Sequence, residues 1–515
     1  MKTKNKLVVD RGWLLASSQG QAKSKWPLIL IFSCYSIFST AQITEKEIFG
    51  EVQIPAALST YSVARFDEDT QEFILEHRNS DKGGPIGLMG TVNGNFLLTC
   101  RISSQTTGIG GWTLTDNSNG LLFSVTRTSS GLLHFRTAAD IPSNPVIKKL
   151  NGDLDDLQIE RNGNSLTVRA SAYREPLALI YDHSFSSLPN SLKLGMFLES
   201  ANSTASKIIF SEVRLDKPVT EPFDASRSVS PGSRLEILDL KSGSRKVIYE
   251  STERFEAPNF MPDGKSLLFN MKGLLYTIST DGGTPKIFET GSARRNNNDH
   301  GISFDGKLLA LSSHRDGMPG GGSAVYVMPL AGGEPKLVTG ETPSYWHGWN
   351  PNHREVLYVA QRNGSKRYQI YSKDINGGKE VALTSFDVGH VDGPEFSPHG
   401  KHIYYNGSQT GKMQLWRMNP DGKNLVRLTF DDYNNWFPHP SPDGKALVFL
   451  SYLPDIDPDA HPAYKKVMIR MMAAGGGPAK VLAHLYGGQG TINVPSWSPD
   501  GRFIAFVSNS RPSNP

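Results

Sequence analysis

A four-residue turn phrase recurs through the C-terminal half of the chain and restricts what that half can fold into. It reads Met261-Pro262-Asp263-Gly264, Ser303-Phe304-Asp305-Gly306, Asn350-Pro351-Asn352-His353, Ser397-Pro398-His399-Gly400, Ser441-Pro442-Asp443-Gly444 and Ser498-Pro499-Asp500-Gly501. Its third position falls at 263, 305, 352, 399, 443 and 500, so successive spacings are 42, 47, 47, 44 and 57 residues. A mostly apolar position precedes each phrase (Phe260, Ile302, Trp349, Phe396, Pro440, Trp497), and a β-prone run follows it. Pro-Asp-Gly supplies a tight turn between two strands. Strand–turn–strand units repeating about every 45 residues, with no helical periodicity between them, are the pattern of propeller blades. Copies two, three and four depart from the plain phrase, which predicts irregular turns there.

The last copy supplies only two strands, whereas 234–240 and 245–250 read as a third and fourth strand placed ahead of the first full copy. Pairing them predicts a six-bladed β-propeller over 233–515, closed by strands from both ends and without an open edge. The phrases resemble those of the TolB-type six-bladed propeller family. Asn434-Asn435-Trp436-Phe437-Pro438-His439 and the run from Tyr486 to Pro495 resemble a subgroup of exported bacterial proteins of that kind. The resemblance implies a propeller that binds proteins or peptides, or one that shields a peptidase site. No Gly-x-Ser-x-Gly elbow or hydrolase domain accompanies it, which argues against the peptidase relatives.

Residues 43–216 carry short β-rich runs separated by turn chemistry, with Asn162-Gly163 as a hairpin signal. They predict an antiparallel β-sandwich or jelly roll. The pattern resembles concanavalin-like domains, many of which bind sugars. Residues 217–232 read as a linker. The fold class expected is all-β.

The formal charge of +4, from 54 Lys+Arg against 50 Asp+Glu, invites a nucleic-acid reading. Its location removes the invitation. Residues 1–42 hold six basic residues and one acid, followed by the apolar run 26–38 and Ser39-Thr40-Ala41-Gln42. This is the plan of a secretory signal peptide. Removing its +5 leaves a body of about −1, so nucleic acid is not an expected partner. An exported protein, periplasmic or extracellular in a bacterial envelope and with no membrane span after the leader, is expected. Cys100 would then be its single cysteine.

In a propeller, residues just ahead of each turn phrase converge on one funnel. Here they are Glu256; Asn298, Asp299 and His300; Trp346 and His347; His390 and Asp392; Asn434, Trp436 and His439; and Gln489 and Asn493. Together they form a candidate ligand-binding set. His300, His347, His390 and His439 could hold a divalent metal, or an imidazole or carboxylate could act as acid or base. Trp346 and Trp436 could stack on sugar rings or apolar side chains. Against this, His300 and His347 stand where other copies have Pro258, Pro394, Pro438 and Pro495, which favours a structural use. Asp455, Asp457 and Asp459 open like a calcium loop, but Lys466 replaces the acid that would close it. Residues 452–464 therefore read as a surface insertion.

The leading expectation is a non-catalytic binding protein that presents the funnel and a lectin-like sandwich to an envelope protein, peptide or glycan. The alternative is a metal-assisted polysaccharide lyase or hydrolase, by resemblance to pectin-fragment lyases whose propeller carries a His-rich metal ring. A third reading is an inert structural partner in an envelope complex.

Overall fold

The computed structural model describes residues 62–67, 70, 72–77, 86–104, 109–118, 120–128, 132–137, 146–149, 154–199, 205–219, 230–318 and 322–510. The expected leader lies outside them, as does most of the expected linker. Among the described residues every regular element is a strand except an isolated 3₁₀ residue, and no helix is long and apolar enough to cross a membrane.

Thirteen of these strands build two antiparallel sheets. The seven-stranded sheet runs Ser62–Asp67, Glu72–His77, Ser206–Asp216, Phe96–Ser104, Leu154–Asn162, Ser165–Ala172 and Ala178–Ser184. The six-stranded sheet runs Ile86–Asn93, Ser191–Glu199, Ile109–Thr115, Leu121–Arg127, Leu132–Thr137 and Val146–Lys149. Alternation puts one side of each strand inward, as in Ser165–Ala172, where Leu166, Val168 and Ala170 are buried. The two inner faces share one apolar core, with Trp112 of one sheet edge-on to Phe210 of the other at 5.5 Å. Cys100 is buried in it, and burial pushes its thiol far above the ordinary range.

The remaining strands form six small sheets. Five have four antiparallel strands each, taken in chain order, and begin with Phe255–Phe260, Asn296–Ile302, Ser344–Trp349, Val391–Phe396 and Asn434–Pro440. In the sixth, Ser233–Asp239 lies between Arg245–Ser251 and Phe503–Ser508, so segments from both ends of this half share a ladder. Neighbouring sheets bury their faces against each other. Ala310 and Val325 pack with Trp346, Trp349 and Tyr358, and Leu235 and Val507 pack with Phe255 and Phe269.

The turns between first and second strands are regular in all six copies. Each carries an i+3→i backbone hydrogen bond of 2.8–2.9 Å, from Gly264, Gly306, His353, Gly400, Gly444 or Gly501. That residue needs a left-handed backbone, with φ between 59° and 71°. Glycine takes it freely, whereas His353 takes it at φ 59° with a side chain attached. The irregularity expected from the sequence is therefore absorbed as local strain at one residue and leaves the turn geometry unchanged.

The two halves touch through Leu97, Tyr464 and Tyr486, with Val219 against them. Lys466 Nζ lies 2.7 Å from Glu160 Oε2, and the Val481 amide donates to the Arg174 carbonyl at 2.8 Å.

Candidate functional site

One irregularity shared by the first strands builds the site. In each of the five four-stranded sheets the ladder between first and second strand slips, at Glu256/Asn259, Asn296/His300, Trp346/Gly348, Asp392/Glu395 and Trp436/His439. A bulge of this kind re-aims the side chains beside it. Ala257, Gly393 and Phe437, at equivalent places, accordingly take φ of 59°, 56° and 55°.

The re-aimed side chains line a cavity of ≈ 460 Å³. Seven of the sequence-derived residues are on its wall: Glu256, Asn298, Asp299, His347, Asp392, Gln489 and Asn493. The others serve elsewhere. Trp346 is buried between sheets against Gly301, where an added Cβ would fall 2.0 Å from the indole. Asn434 accepts from the Met413 amide at 3.1 Å and donates to the Ile456 carbonyl at 2.8 Å. Trp436 is in the core, edge-on to His461 at 4.5 Å. His390 stands outside the wall, its ring 6.0 Å from Tyr368.

The four histidines do not assemble. His300 is fully buried opposite Leu311, and burial pulls its pKa down to about 4, so it is neutral. His439 has both ring nitrogens engaged, Nδ1 with Glu395 Oε2 at 2.7 Å and Nε2 with the Ile492 carbonyl at 2.6 Å. Only His347 of the four reaches the cavity wall. Among the described residues no three His, Cys, Asp or Glu side chains stand where they could share a metal ion. The tetrad expected as a metal site is thus dispersed: His390 precedes its strand, His439 is held by Glu395 and Ile492, and slips of different length leave His300 in the ladder and bring His347 to the wall.

The wall is electrostatically structured. His347 Nε2 lies 2.8 Å from Asp392 Oδ1. Burial disfavours the imidazolium, but Asp392, Asp299 and Glu395 hold the His347 pKa above its ordinary value. Burial likewise opposes ionisation of Asp392, yet His347 and then His461 keep its carboxyl below the usual range. Glu256 pairs with Arg254 at 2.9 Å, and burial still raises its pKa. Asp299 differs. Burial pushes it up to about 7, where His347 pulls it down while Asp392 and Glu256 push it further up.

Sequence reasoning missed Tyr345, Tyr368, Phe437, Arg254 and His461, all on the wall. Tyr345 had a signal, since it occupies the same offset from its turn phrase as Glu256, Asn298, Asp392 and Asn493. His461 belongs to the segment read as a surface insertion. Pro454, Asp455, Asp457 and Asp459 are at the surface, as expected, but the segment is tied inward: Asp459 accepts from the Ser408 hydroxyl, and the Pro462 carbonyl accepts from Tyr452 at 3.0 Å and from the Gln489 amide at 3.3 Å. Its His461 Nε2 then lies 3.8 Å from Asp392.

Known proteins resemble this chain over its C-terminal half. The profile described as the TolB beta propeller domain matches residues 347–514. An uncharacterized protein of Agrobacterium fabrum is 46% identical over 285 residues, which span 54% of this chain and 94% of that protein. A solved structure from Agrobacterium tumefaciens, provisionally named TolB, is 45% identical with a TM-score of 0.51, covering 54% of this chain and 98% of the other. With the turn phrase, the antiparallel small sheets and these matches together, the chain belongs to the TolB β-propeller family.

Proposed function

We propose that this chain is an exported binding protein of a bacterial envelope that holds a polar segment of a protein, peptide or glycan in the cavity at the first strands. The six small sheets are taken as six blades of one ring, closed where Ser233–Asp239 pairs with Phe503–Ser508, and the two large sheets as a sandwich offering a second surface. The leader at residues 1–42 is the argument for export.

The observation that carries the reading is the make-up of the cavity wall. Amides (Asn297, Asn298, Gln489, Asn493), phenols (Tyr345, Tyr368) and the Phe437 ring face one space from several strands. A few convergent polar groups beside aromatic walls suit recognition of a hydrogen-bonding ligand. Four of the ionisable groups are already paired, Arg254 with Glu256 and His347 with Asp392, which fixes their orientation. Metal-assisted chemistry on a polysaccharide would need the histidine set that is dispersed here.

The test places a photo-crosslinking amino acid at Val359 on the cavity wall and exposes the protein to envelope extract and to a glycan array. Specific products that disappear in Asp392→Ala are expected. Equal products with and without the substitution, or none above a control crosslinker at Lys307, would refute the assignment of the cavity.

A further inference from the structure

We propose that the cavity selects a cationic head group, a primary ammonium or a guanidinium, seated against the Asp299 carboxylate; this rests on reading the cavity as a ligand site. Three carboxylates face the cavity: Glu256, Asp299 and Asp392. Two have a basic partner within 3 Å, Glu256 the Arg254 guanidinium at 2.9 Å and Asp392 the His347 imidazole at 2.8 Å. Asp299, 6% exposed, has an amide instead: Asn297 Nδ2 donates to its Oδ2 at 2.8 Å, and the Asp299 amide donates back to Asn297 Oδ1 at 3.0 Å. This reciprocal pair fixes the carboxyl in place without neutralising it. A buried carboxylate wants a counter-charge. Tyr345 and Phe437 add aromatic surface to the same wall. An anionic ligand would meet three carboxylates, and a neutral one would leave the Asp299 carboxyl to be neutralised by its own proton, with only the nearby His347 to favour its ionised form.

Binding is expected to displace a proton. With the Asp299 carboxyl at about 7, ionisation rises roughly tenfold between pH 6 and pH 8, and cation affinity should follow. His314 also lines this wall; the other groups facing Asp299 act in the same direction or are constant. His347, with a raised pKa, and His461, with a lowered one, can only lose positive charge as pH rises. Glu256 and Asp392 can only gain negative charge, and the phenols of Tyr345 and Tyr368, pushed up by burial, keep their state through this range.

The experiment is calorimetric titration of the full mature chain at pH 6, 7 and 8, in two buffers of different ionisation enthalpy. The probes are cadaverine and agmatine with 1,5-pentanediol as the neutral counterpart, and a blocked tetrapeptide with one lysine beside its Nε-acetylated form. Cation-selective binding, about tenfold tighter at pH 8 than at pH 6 and accompanied by proton release, is expected. Tight binding of the small amines assigns a free amine ligand, whereas binding of the lysine peptide alone assigns a side chain of a partner. Asp299→Asn and Asp299→Ser, each checked for an unchanged melt, should lose both the affinity and its pH dependence. Equal binding of the neutral probes, no binding of any cation, or an Asp299→Asn variant that titrates like the parent overturns the inference. Crosslinking to a neutral ligand at Val359 would leave the cavity assignment standing while refuting this ligand class.

Discussion

Glu236 joins the two ends of the small-sheet half to each other and to the two-sheet half. It lies on Ser233–Asp239 with no exposed surface. Arg245 donates to it twice, Nε to Oε2 at 3.0 Å and Nη2 to Oε1 at 2.8 Å. Ser508, on the last strand, donates its hydroxyl to Oε1, and Arg214 Nη2, from the seven-stranded sheet, lies 3.6 Å from Oε2. Burial works against the charge, but Arg245 and Arg214 bring the carboxyl from an ordinary 4.5 down to about 2. At ~1.4 kcal/mol per pH unit, that difference amounts to about 3 kcal/mol of stability at neutral pH. Because the folded pKa is the lower one, the contribution is present above 4.5 and is lost as pH falls toward 2. Glu236→Gln keeps the shape and removes the charge. It should cost about 3 kcal/mol at pH 7 and roughly 1.4 kcal/mol at pH 3, where part of the parent's advantage has been titrated away. Glu236→Ala should cost as much or more at pH 7, since it leaves the guanidinium groups of Arg245 and Arg214 with only the more distant Glu212 carboxylate, 3.8 Å from each. Urea unfolding followed by tryptophan fluorescence at the two pH values gives the numbers. A glutamine variant within 1 kcal/mol of the parent at pH 7, or a gap that does not shrink at pH 3, would refute the reasoning.

Two further substitutions test the strain and the buried pair. His353→Gly relieves a left-handed residue at φ 59° and should raise stability by about 0.5–1 kcal/mol, seen as a higher urea midpoint. A lower midpoint would mean that the imidazole, 3.9 Å from Asp305, contributes more than the strain removes. His439→Leu leaves the Glu395 carboxyl and the Ile492 carbonyl without their imidazole partner in a buried site and should cost about 2–4 kcal/mol. An unchanged midpoint would show that water replaces both bonds.

The small sheets were legible because their signal is local. A turn that needs a left-handed residue and a strand on either side is written into consecutive residues, and Asp263-Gly264 and Asp443-Gly444 announce it without reference to the rest of the chain. The two-sheet half was legible only as strands. Its order, with Ser206–Asp216 inserted between Glu72–His77 and Phe96–Ser104, depends on pairings between residues far apart in sequence. The contact between halves was not legible at all: Tyr464 closes the stretch read as an insertion and Tyr486 opens the run to Pro495, and neither is marked until Leu97 and Val219 are brought against them.

The site was half legible, for a reason that also explains its chemistry. Convergence of the segments ahead of each turn phrase follows from the repeat, so the right stretches were chosen. Which side chain in each stretch faces the cavity follows from the bulge, and a bulge exists only when two strands are paired. Trp436 has the offset of Glu256 and Asp392, yet it goes to the core and Phe437 takes its place on the wall. His300 and His347 share an offset as well, but the slip spans Asn296 to His300 in one strand and only Trp346 to Gly348 in the other. The first imidazole is left in the ladder, neutral and buried, and the second is delivered to Asp392. A pattern of histidines therefore overstated the likeness between copies. The copies differ in the length of the slip, and that difference puts Asp299, and not His300, on the wall.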